Sequence, residues 1–495
     1  MEKRLFHPLE RGSGLMLVIF MLLFASCAIG YDDSETYSSD VRDAQLESPD
    51  LSKMEVITRT TVTGSEILEF RWPVVHGAGG YEFTLYNVDD PDNPIIVDKI
   101  GSEIINGCTA LRTKAEDTKY EIVVLTLGNE KYNNKTATAP SRTTYSTLVP
   151  TFATIPSGTD LGVFFTENPI QPLEEGIEEI AYDLEPGGIY TMSADVALNL
   201  TTLTIRGDKI DHAKLKVTGN SSFISDGAGF KLKWLDIDMA DYTGKGFISY
   251  NATVNPDAKA DNNFYATQTS NQLVSCNITN LKKPILCDNG KKYALYEFQF
   301  RDCVIEQNLG SSEYFIDFST GIVKDLRIMN TTIYNKTRTS NNWIRYGNVQ
   351  IDKADHRPFP SWNKAGFDIR NSTFWQVAHT KQMFNSNGFN RTANYVTIQS
   401  TIFVDCGNKE VTRRFLMGSA NPERTFNMNT YWYLGETPAG EVNPSSSYSD
   451  KTGTHIDADP KLKDPANGDF TVTGAEQISK MTGDPRWLPI PVITE

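Results

Sequence analysis

The sequence predicts an all-β chain, an antiparallel β-sandwich followed by a right-handed parallel β-helix of about eight coils. Three observations carry that prediction. An eight-residue segment recurs, as FDIRNSTF (367–374), FQFRDCVI (298–305) and LRIMNTTI (326–333), with apolar residues at positions 1, 3 and 8, Asn or Asp at 5 and a small polar or thiol residue at 6. The copies are regularly spaced, which is the signature of stacked repeats. Upstream of them, short alternating segments punctuated by Gly, Pro and Asp read as antiparallel strands.

Further copies are FKLKWLDI (230–237), NQLVSCNI (271–278), VTIQSTIF (396–403) and FNMNTYWY (426–433), with a weaker start at LTIRGDKI (203–210). Marking each at position 3 gives Ile205, Leu232, Leu273, Phe300, Ile328, Ile369, Ile398 and Met428, separated by 27, 41, 27, 28, 41, 29 and 30 residues. The two long separations equal one unit plus an insertion on one face. Apolar residues at 1 and 3 with polar residues between them are strand alternation. Asn, Asp or Ser at 5 marks a turn, since these residues tolerate left-handed backbone. The apolar position 8 then opens a second strand. A strand unable to bury its apolar face alone, repeated at this period, implies coils that stack, so residues 190–435 are assigned to the β-helix.

From the start of the chain, residues 1–27 place Lys3, Arg4 and Arg11 before the apolar run LMLVIFMLLFAS and then Cys27. The run is too short to span a bilayer and reads as an export signal. FASC resembles the lipobox of bacterial lipoproteins, which implies lipidation at Cys27, and the following YDDSE resembles the acidic tag of lipoproteins exported to the outer face of the outer membrane. Residues 28–50, acidic and Ser-rich, form a flexible tether. Residues 51–147 hold EILEFRWPVV, GYEFTLYNV, IIVDKI and TKYEIVVLTLG. This pattern resembles a fibronectin type III module, with Trp72 and Tyr120 at the family's core positions. Residues 148–189 are a linker and cap, and residues 436–495 a C-terminal cap and tail.

A net charge of −15 over 495 residues argues against nucleic acid as a partner. With Cys27 assigned to lipid, five of the six cysteines remain. Cys276 and Cys303 fall at the same repeat position in successive coils. Their side chains point the same way, so stacked buried thiols fit better than a disulfide.

Stacking turns equivalent positions into columns. Position 2 gives Lys231, Gln272, Gln299, Arg327, Asp368, Thr397 and Asn427, and position 4 gives Lys233, Val274, Arg301, Met329, Arg370, Gln399 and Asn429. If positions 1 and 3 face the core, both columns face solvent and set Lys231, Lys233, Arg301, Arg327 and Arg370 on one sheet with a single acid, Asp368. Arg binds carboxylates with a planar fork, which suits a polyuronate chain. The insertion at 336–364 adds Trp343, Arg345, Tyr346 and Trp362, whose rings are candidates for stacking on sugars from a loop.

TIPSGTDLG (154–162), LTIRGDKIDHAKL (203–215) and DADPKLKDPANGDFTVTGAEQISKMTGDPRWLP (457–489) carry a wider likeness. In them the chain resembles surface lipoproteins of Gram-negative glycan-utilisation systems, in which a fibronectin type III module precedes a pectate-lyase-like β-helix of unassigned function. The resemblance implies a lipid-anchored protein on the outer face of the outer membrane that captures an acidic plant glycan such as pectin beside an outer-membrane glycan transporter. It carries over no catalytic residues and no cofactor. The alternative is a polysaccharide lyase with Arg301, Arg327 or Arg370 as base and Ca²⁺ on the uronate carboxylate. A glycosidase needs paired carboxylates, which the two columns lack, and a surface adhesin is a third reading. Binding is the favoured expectation.

Overall fold

The computed structural model describes residues 41–490 apart from 62–64, 100, 171–172, 174–176, 178, 339–340, 386–388, 390, 413–421 and 435–448. Cys27, the lipobox-like stretch and the first part of the expected tether lie outside the described residues; from residue 41 the chain is not a free tether but packs on the first unit, where Leu46 is buried in its core and the Leu46 amide donates to the Lys135 carbonyl. The chain is all-β and divides between Leu148 and Val149 into two compact units.

In the first unit, Glu55–Thr60, Glu66–Arg71 and Thr109–Thr113 form one antiparallel sheet. Gly80–Asn87, Lys119–Leu127 and Ser141–Ser146, with Ile95–Ile96 and Glu103–Ile105, form another. Alternation decides which residues turn inward: Leu68 and Phe70 from one sheet meet Phe83, Leu85, Ile122 and Val124 from the other in a single apolar cluster. Trp72 stacks on Phe83 with centroids 5.4 Å apart. The hydroxyl of buried Tyr120 accepts a hydrogen bond from the Ala115 amide at 3.1 Å.

The second unit is built on three long parallel sheets, to which successive coils contribute a strand each, a parallel β-helix. Among the described residues the first sheet has ten strands from Thr151–Ile155 to Glu423–Asn427, the second nine from Ile189–Met192 to Thr430–Trp432, and the third seven from Val196–Asn199 to Phe384–Asn385. Two strands of the first sheet, Thr151–Ile155 and Glu179–Leu184, precede residue 190. Repeat positions 1 to 4 lie in the first sheet, and the position-3 residues Ile205, Leu232, Leu273, Phe300, Ile328, Ile369 and Ile398 pair in that order. Position 8 opens the second sheet through Ile237, Ile278, Ile305, Ile333, Phe374 and Phe403. All of these are buried, so each coil closes its apolar face on its neighbours.

Position 5 makes the corner between the two sheets. Ser275, Asp302, Asn330, Asn371 and Ser400 have φ between 46° and 57°, the left-handed turn that short polar side chains tolerate. Position 6 is buried and bonds to backbone across coils: Thr331 Oγ1 accepts from the Cys303 amide, and Ser372 Oγ from the Thr331 amide. Cys276 and Cys303 are thiols outside any disulfide, as are Cys287 and Cys406. Burial pushes the Cys276 thiol well up, and neighbouring Cys303 adds to the shift.

Three features differ from the sequence reading. The last repeat is displaced by two residues: Phe426 pairs with Ile398 and Thr430 with Ile402, so Met428 is the corner residue and Asn429 the buried position 6. The misplacement arose because a two-residue shift preserves strand alternation. Ile210, assigned to position 8 of the weak copy, is exposed, and Leu215 takes its place. The two insertions are not simple loops, since they contain the third-sheet strands Ile248–Tyr250 and Ile344–Tyr346.

The C-terminal segment lies along the outside of the second sheet. Its hairpin, Leu462–Asp464 with Asp469–Val472, packs Phe470 and Val472 on Tyr334, Trp375, Ile402 and Val404. It then runs against the coils in reverse order. Gln477 Nε2 donates to Thr430 Oγ1, the Gly483 amide to the Ser400 carbonyl, the Asp484 amide to Thr373 Oγ1, Trp487 Nε1 to Thr332 Oγ1, and Arg486 Nη2 to the Asp302 carbonyl.

Candidate functional site: the outer faces of the first and second sheets

The columns proposed for the first sheet are in register. Lys233, Val274, Arg301, Met329, Arg370 and Gln399 pair in order, as do Lys231, Gln272, Gln299, Arg327, Asp368 and Thr397. Their surroundings differ from the expectation of open solvent. Lys233 is 5% exposed, and Lys231 is ion-paired to Glu179. The side chains of Arg301, Arg327 and Arg370 keep 27%, 40% and 46% of their surface, and each lies near an acid: Asp302, Glu297 and Asp368 respectively. Arg370 reaches Asp368 through Nε at 2.6 Å, and Arg327 Nε lies 2.9 Å from Glu297. No described residue is hydrogen-bonded to the Nη atoms of Arg327 or Arg370.

The reading of a single acid on this face is corrected. One step before position 1 lies a further outward column, Ser270, Glu297, Asp325, Gly366 and Tyr395. Extending the period-two alternation back by one residue finds it. Glu297 and Asp325 are neighbours on adjacent coils and almost fully buried. Ser270 Oγ donates to Glu297 at 2.7 Å, and Tyr395 Oη donates to Asp325 at 2.8 Å while Lys324 pairs with its other oxygen. Gly366 makes the tyrosine contact possible, since a Cβ there would sit 2.2 Å from the Tyr395 ring. Burial and then the Asp325 charge push the Tyr395 phenol well above its ordinary value.

The aromatic part of the sequence prediction does not hold. Trp343 is 2% exposed, stacked on Phe315 at 5.1 Å and set edge-on to Phe374. Tyr346 stacks on Phe367, and Trp362 is buried between Tyr296 and Phe359. Trp343 immediately precedes and Tyr346 ends a third-sheet strand, Ile344–Tyr346, whose inward positions fill the core in place of a sugar-facing loop. Arg345 alternates outward, 2.6 Å from Asp317 and 4.4 Å above the Tyr314 ring. Burial raises the Asp317 carboxyl, and Arg345 works against that shift.

The second sheet carries another open surface, found by none of the sequence arguments. Its outward residues in the early coils are Ile189, Lys214, Asp236 and Asn277, paired in order, with Lys216 and Asp238 alongside. They line a groove that continues past Ser275 and Thr279 to Trp487 and Arg486, where the C-terminal segment ends its run over the coils. The side chain of Asp236 is 42% exposed; Asn277 Nδ2 donates to its Oδ1 at 2.7 Å, and His212 Nδ1 lies 3.1 Å from the same oxygen.

Among the described residues no group of three or more His, Cys, Asp or Glu has the spacing to hold a metal ion, and no helix is long and apolar enough to cross a membrane. No curated protein matches the chain. Three family models, each described as a domain of unknown function, match successive parts of it: DUF4992 over residues 1–187, DUF4957 over 188–336 and DUF5123 over 367–487.

Proposed function

We propose that this chain is a cell-surface polysaccharide-binding protein that captures an acidic plant glycan on the first sheet of its β-helix. The carrying observation is the pair Arg327 and Arg370, partly exposed and on adjacent coils, each close to one acid through Nε and with no described residue hydrogen-bonded to its Nη atoms. A guanidinium fork with free terminal nitrogens takes a carboxylate bidentately. Adjacent coils repeat at about 4.8 Å and the two columns lie two residues, about 6.6 Å, apart along the strand, so the two forks stand on the order of 8 Å apart and can engage two carboxylates of one uronate chain. Anchoring through Cys27, display at the outer membrane beside a glycan transporter, and a spacing role for a fibronectin type III-like first unit complete the reading. They are supported by the sequence likenesses and by the two-sheet core around Trp72 and Tyr120.

One observation favours a second reading, a glycan-cleaving enzyme: Glu297 and Asp325 are paired carboxylates beside Lys324, Arg327 and Tyr395, the residue types of acid–base catalysis. Their hydrogen bonds and ion pairs weigh toward a binding face, because each carboxylate already has two partners. Calorimetry with polygalacturonate at two salt concentrations, run beside an assay for reducing ends and for unsaturated products, separates the two. Salt-sensitive binding without product supports capture. Product formation abolished by Glu297→Gln or Asp325→Asn makes the protein an enzyme, and no binding at either salt concentration refutes both. For the anchor, Cys27→Ala is expected to release the protein from whole cells.

A further inference from the structure

The C-terminal segment occupies only part of a longer groove. From Gln477 to Trp487 it steps along the corner and first strand positions of the second sheet, bonding to Thr430, Ser400, Thr373 and Thr332 in turn, and its last contact is Arg486 to the Asp302 carbonyl. The next coils back present Ser275, Asn277, His212 and Asp236 in the same track, with nothing described lying over them.

Trp487 closes one end of this open stretch. Its Nε1 donates to Thr332 Oγ1 at 2.8 Å and its ring meets Phe470 at 5.8 Å, so the indole is held in place while remaining partly exposed to the groove. Aromatic rings with a satisfied polar end and an accessible surface offer contact area at little entropic cost. Asn277 lines the same stretch as Trp487, and one coil beyond it the Asp236 carboxylate is bonded, among the described residues, only at Oδ1, leaving Oδ2 as an acceptor; the Asn277 carbonyl and Thr279 hydroxyl add short polar groups. Asp236 and Asp238 stand beside Lys214 and Lys216, so the groove carries both signs of charge and no surplus of cations for an anionic chain, whereas vicinal hydroxyls match carboxylate acceptors flanked by an amide.

We propose that this open continuation of the groove is a saccharide site for a neutral sugar chain, with one pyranose stacked on Trp487 and the next bonding through its hydroxyls to Asp236 and Asn277. The site is separate from the first-sheet face and does not depend on the acidic-glycan reading.

The test uses the full chain against a panel of neutral pyranose polysaccharides (galactan, mannan, xylan and a mixed-linkage glucan) by affinity electrophoresis, with calorimetry on matching tetrasaccharides. At least one member is expected to bind, with Asn277→Ala and Asp236→Asn each weakening it about tenfold or more, as loss of a bonded sugar hydroxyl predicts. Arg370→Ala is expected to leave that binding unchanged. Trp487→Ala risks loosening the C-terminal segment, so Trp487→Phe, which keeps a ring but loses the Thr332 bond, serves as the second variant. No retained member of the panel, or retention unaltered in both Asn277→Ala and Asp236→Asn, overturns the proposal whatever polygalacturonate does on the first sheet.

Discussion

The outward face of the second sheet changes character along the coils, and the first sheet does not. Up to Asn277 the second sheet shows Lys214, Lys216, Asp236 and Asp238 to solvent; from Val304 onward it shows Tyr334, Trp375, Val404 and Trp432, and the chain's own C-terminal segment lies over them. The first sheet keeps charged residues through its middle coils and neutralises them locally, Lys231 with Glu179, Lys324 with Asp325, Arg327 with Glu297 and Arg370 with Asp368. A stacked repeat fixes its inward columns, because every coil shares one core. The outward columns are free to differ, and the difference is where specific surfaces arise: apolar where another segment docks, charged where the face stays open.

The largest effect is expected where the covering segment is most deeply seated. Phe470 is fully buried among Tyr334, Trp375 and Trp487. Phe470→Ala is expected to weaken docking of the segment by about 3 to 5 kcal/mol, as for large aromatic deletions in cores. Hydrogen exchange then accelerates over 462–487 while amides of the first sheet keep their protection. Equal acceleration across all coils would mean that the segment and the repeat unfold as one unit, and the contrast between covered and open halves would lose its energetic meaning.

Asp484 gives the same docking a pH dependence. It is 1% exposed, accepts from the Thr332 hydroxyl at 2.7 Å and from the Arg486 amide, and faces Arg486 and Asp302. Burial outweighs these donors and pushes its pKa up from 3.8 to about 6. Below the lower value the acid is protonated whether docked or free and has no effect. As pH rises toward the higher value the free acid ionises first, so docking weakens, by on the order of 3 kcal/mol for a shift of this size. Above it no further change comes from this group. Asp484→Asn is expected to abolish that component: the difference in segment stability between parent and variant, measured by exchange from pH 4 to pH 7, grows with pH. A constant difference would place the shift elsewhere.

The inward half of the fold was legible because it obeys one rule eight residues long. Apolar positions 1, 3 and 8 and a left-handed position 5 follow from strand alternation and turn chemistry, and they located two of the three sheets. The third sheet escaped because its strands are short, as in Ile344–Tyr346, and the turns around them vary in length. Without that strand, Trp343 and Tyr346 read as part of a sugar-facing loop. The outward half was legible in register and not in partnership. Sequence placed Arg327 and Arg370 correctly in their columns; it missed Glu297 and Asp325 one step earlier, so the charges looked unpaired. The groove beside Trp487 depends on contacts between residues more than 150 positions apart, such as Thr332 with Trp487, which no local pattern encodes.

A smaller effect belongs to the interior of the corner. Asn429 is fully buried, accepts from the Thr401 amide at 3.2 Å and donates to the Ile398 carbonyl at 2.8 Å. Asn429→Ala leaves both backbone groups without that side chain, and a loss of about 1 to 3 kcal/mol in unfolding free energy is expected. Asn429→Asp, which when ionised can accept but not donate and sets a buried charge against the Ile398 carbonyl, is expected to be less stable than the alanine variant at neutral pH. A variant as stable as the parent would show that the two-residue displacement of the last coil carries no structural weight.

The smallest effect on stability is expected from Arg370, and that makes it the sharpest probe of the open face. Its side chain is 46% exposed and its partner Asp368 has 14% of its own surface in solvent, so removing the pair's cation is expected to cost no more than about 0.5 to 1 kcal/mol. Arg327→Ala is expected to cost somewhat more, about 1 to 2 kcal/mol, because Glu297 is nearly buried and retains only the Ser270 hydroxyl. If the forks bind uronates, the order reverses in a binding experiment. Arg370, the more exposed fork, then contributes at least as much as Arg327, and Arg370→Ala both weakens polygalacturonate and lowers the salt dependence of what remains, since contacts between charges near the surface are screened by ions. Melting curves and calorimetry on the two variants at low and high salt read both orders at once. A variant lacking Arg370 that binds as tightly as the parent, with an unchanged response to salt, would reduce the first-sheet charges to self-pairing alone and leave the second-sheet groove as the surface with a ligand to find.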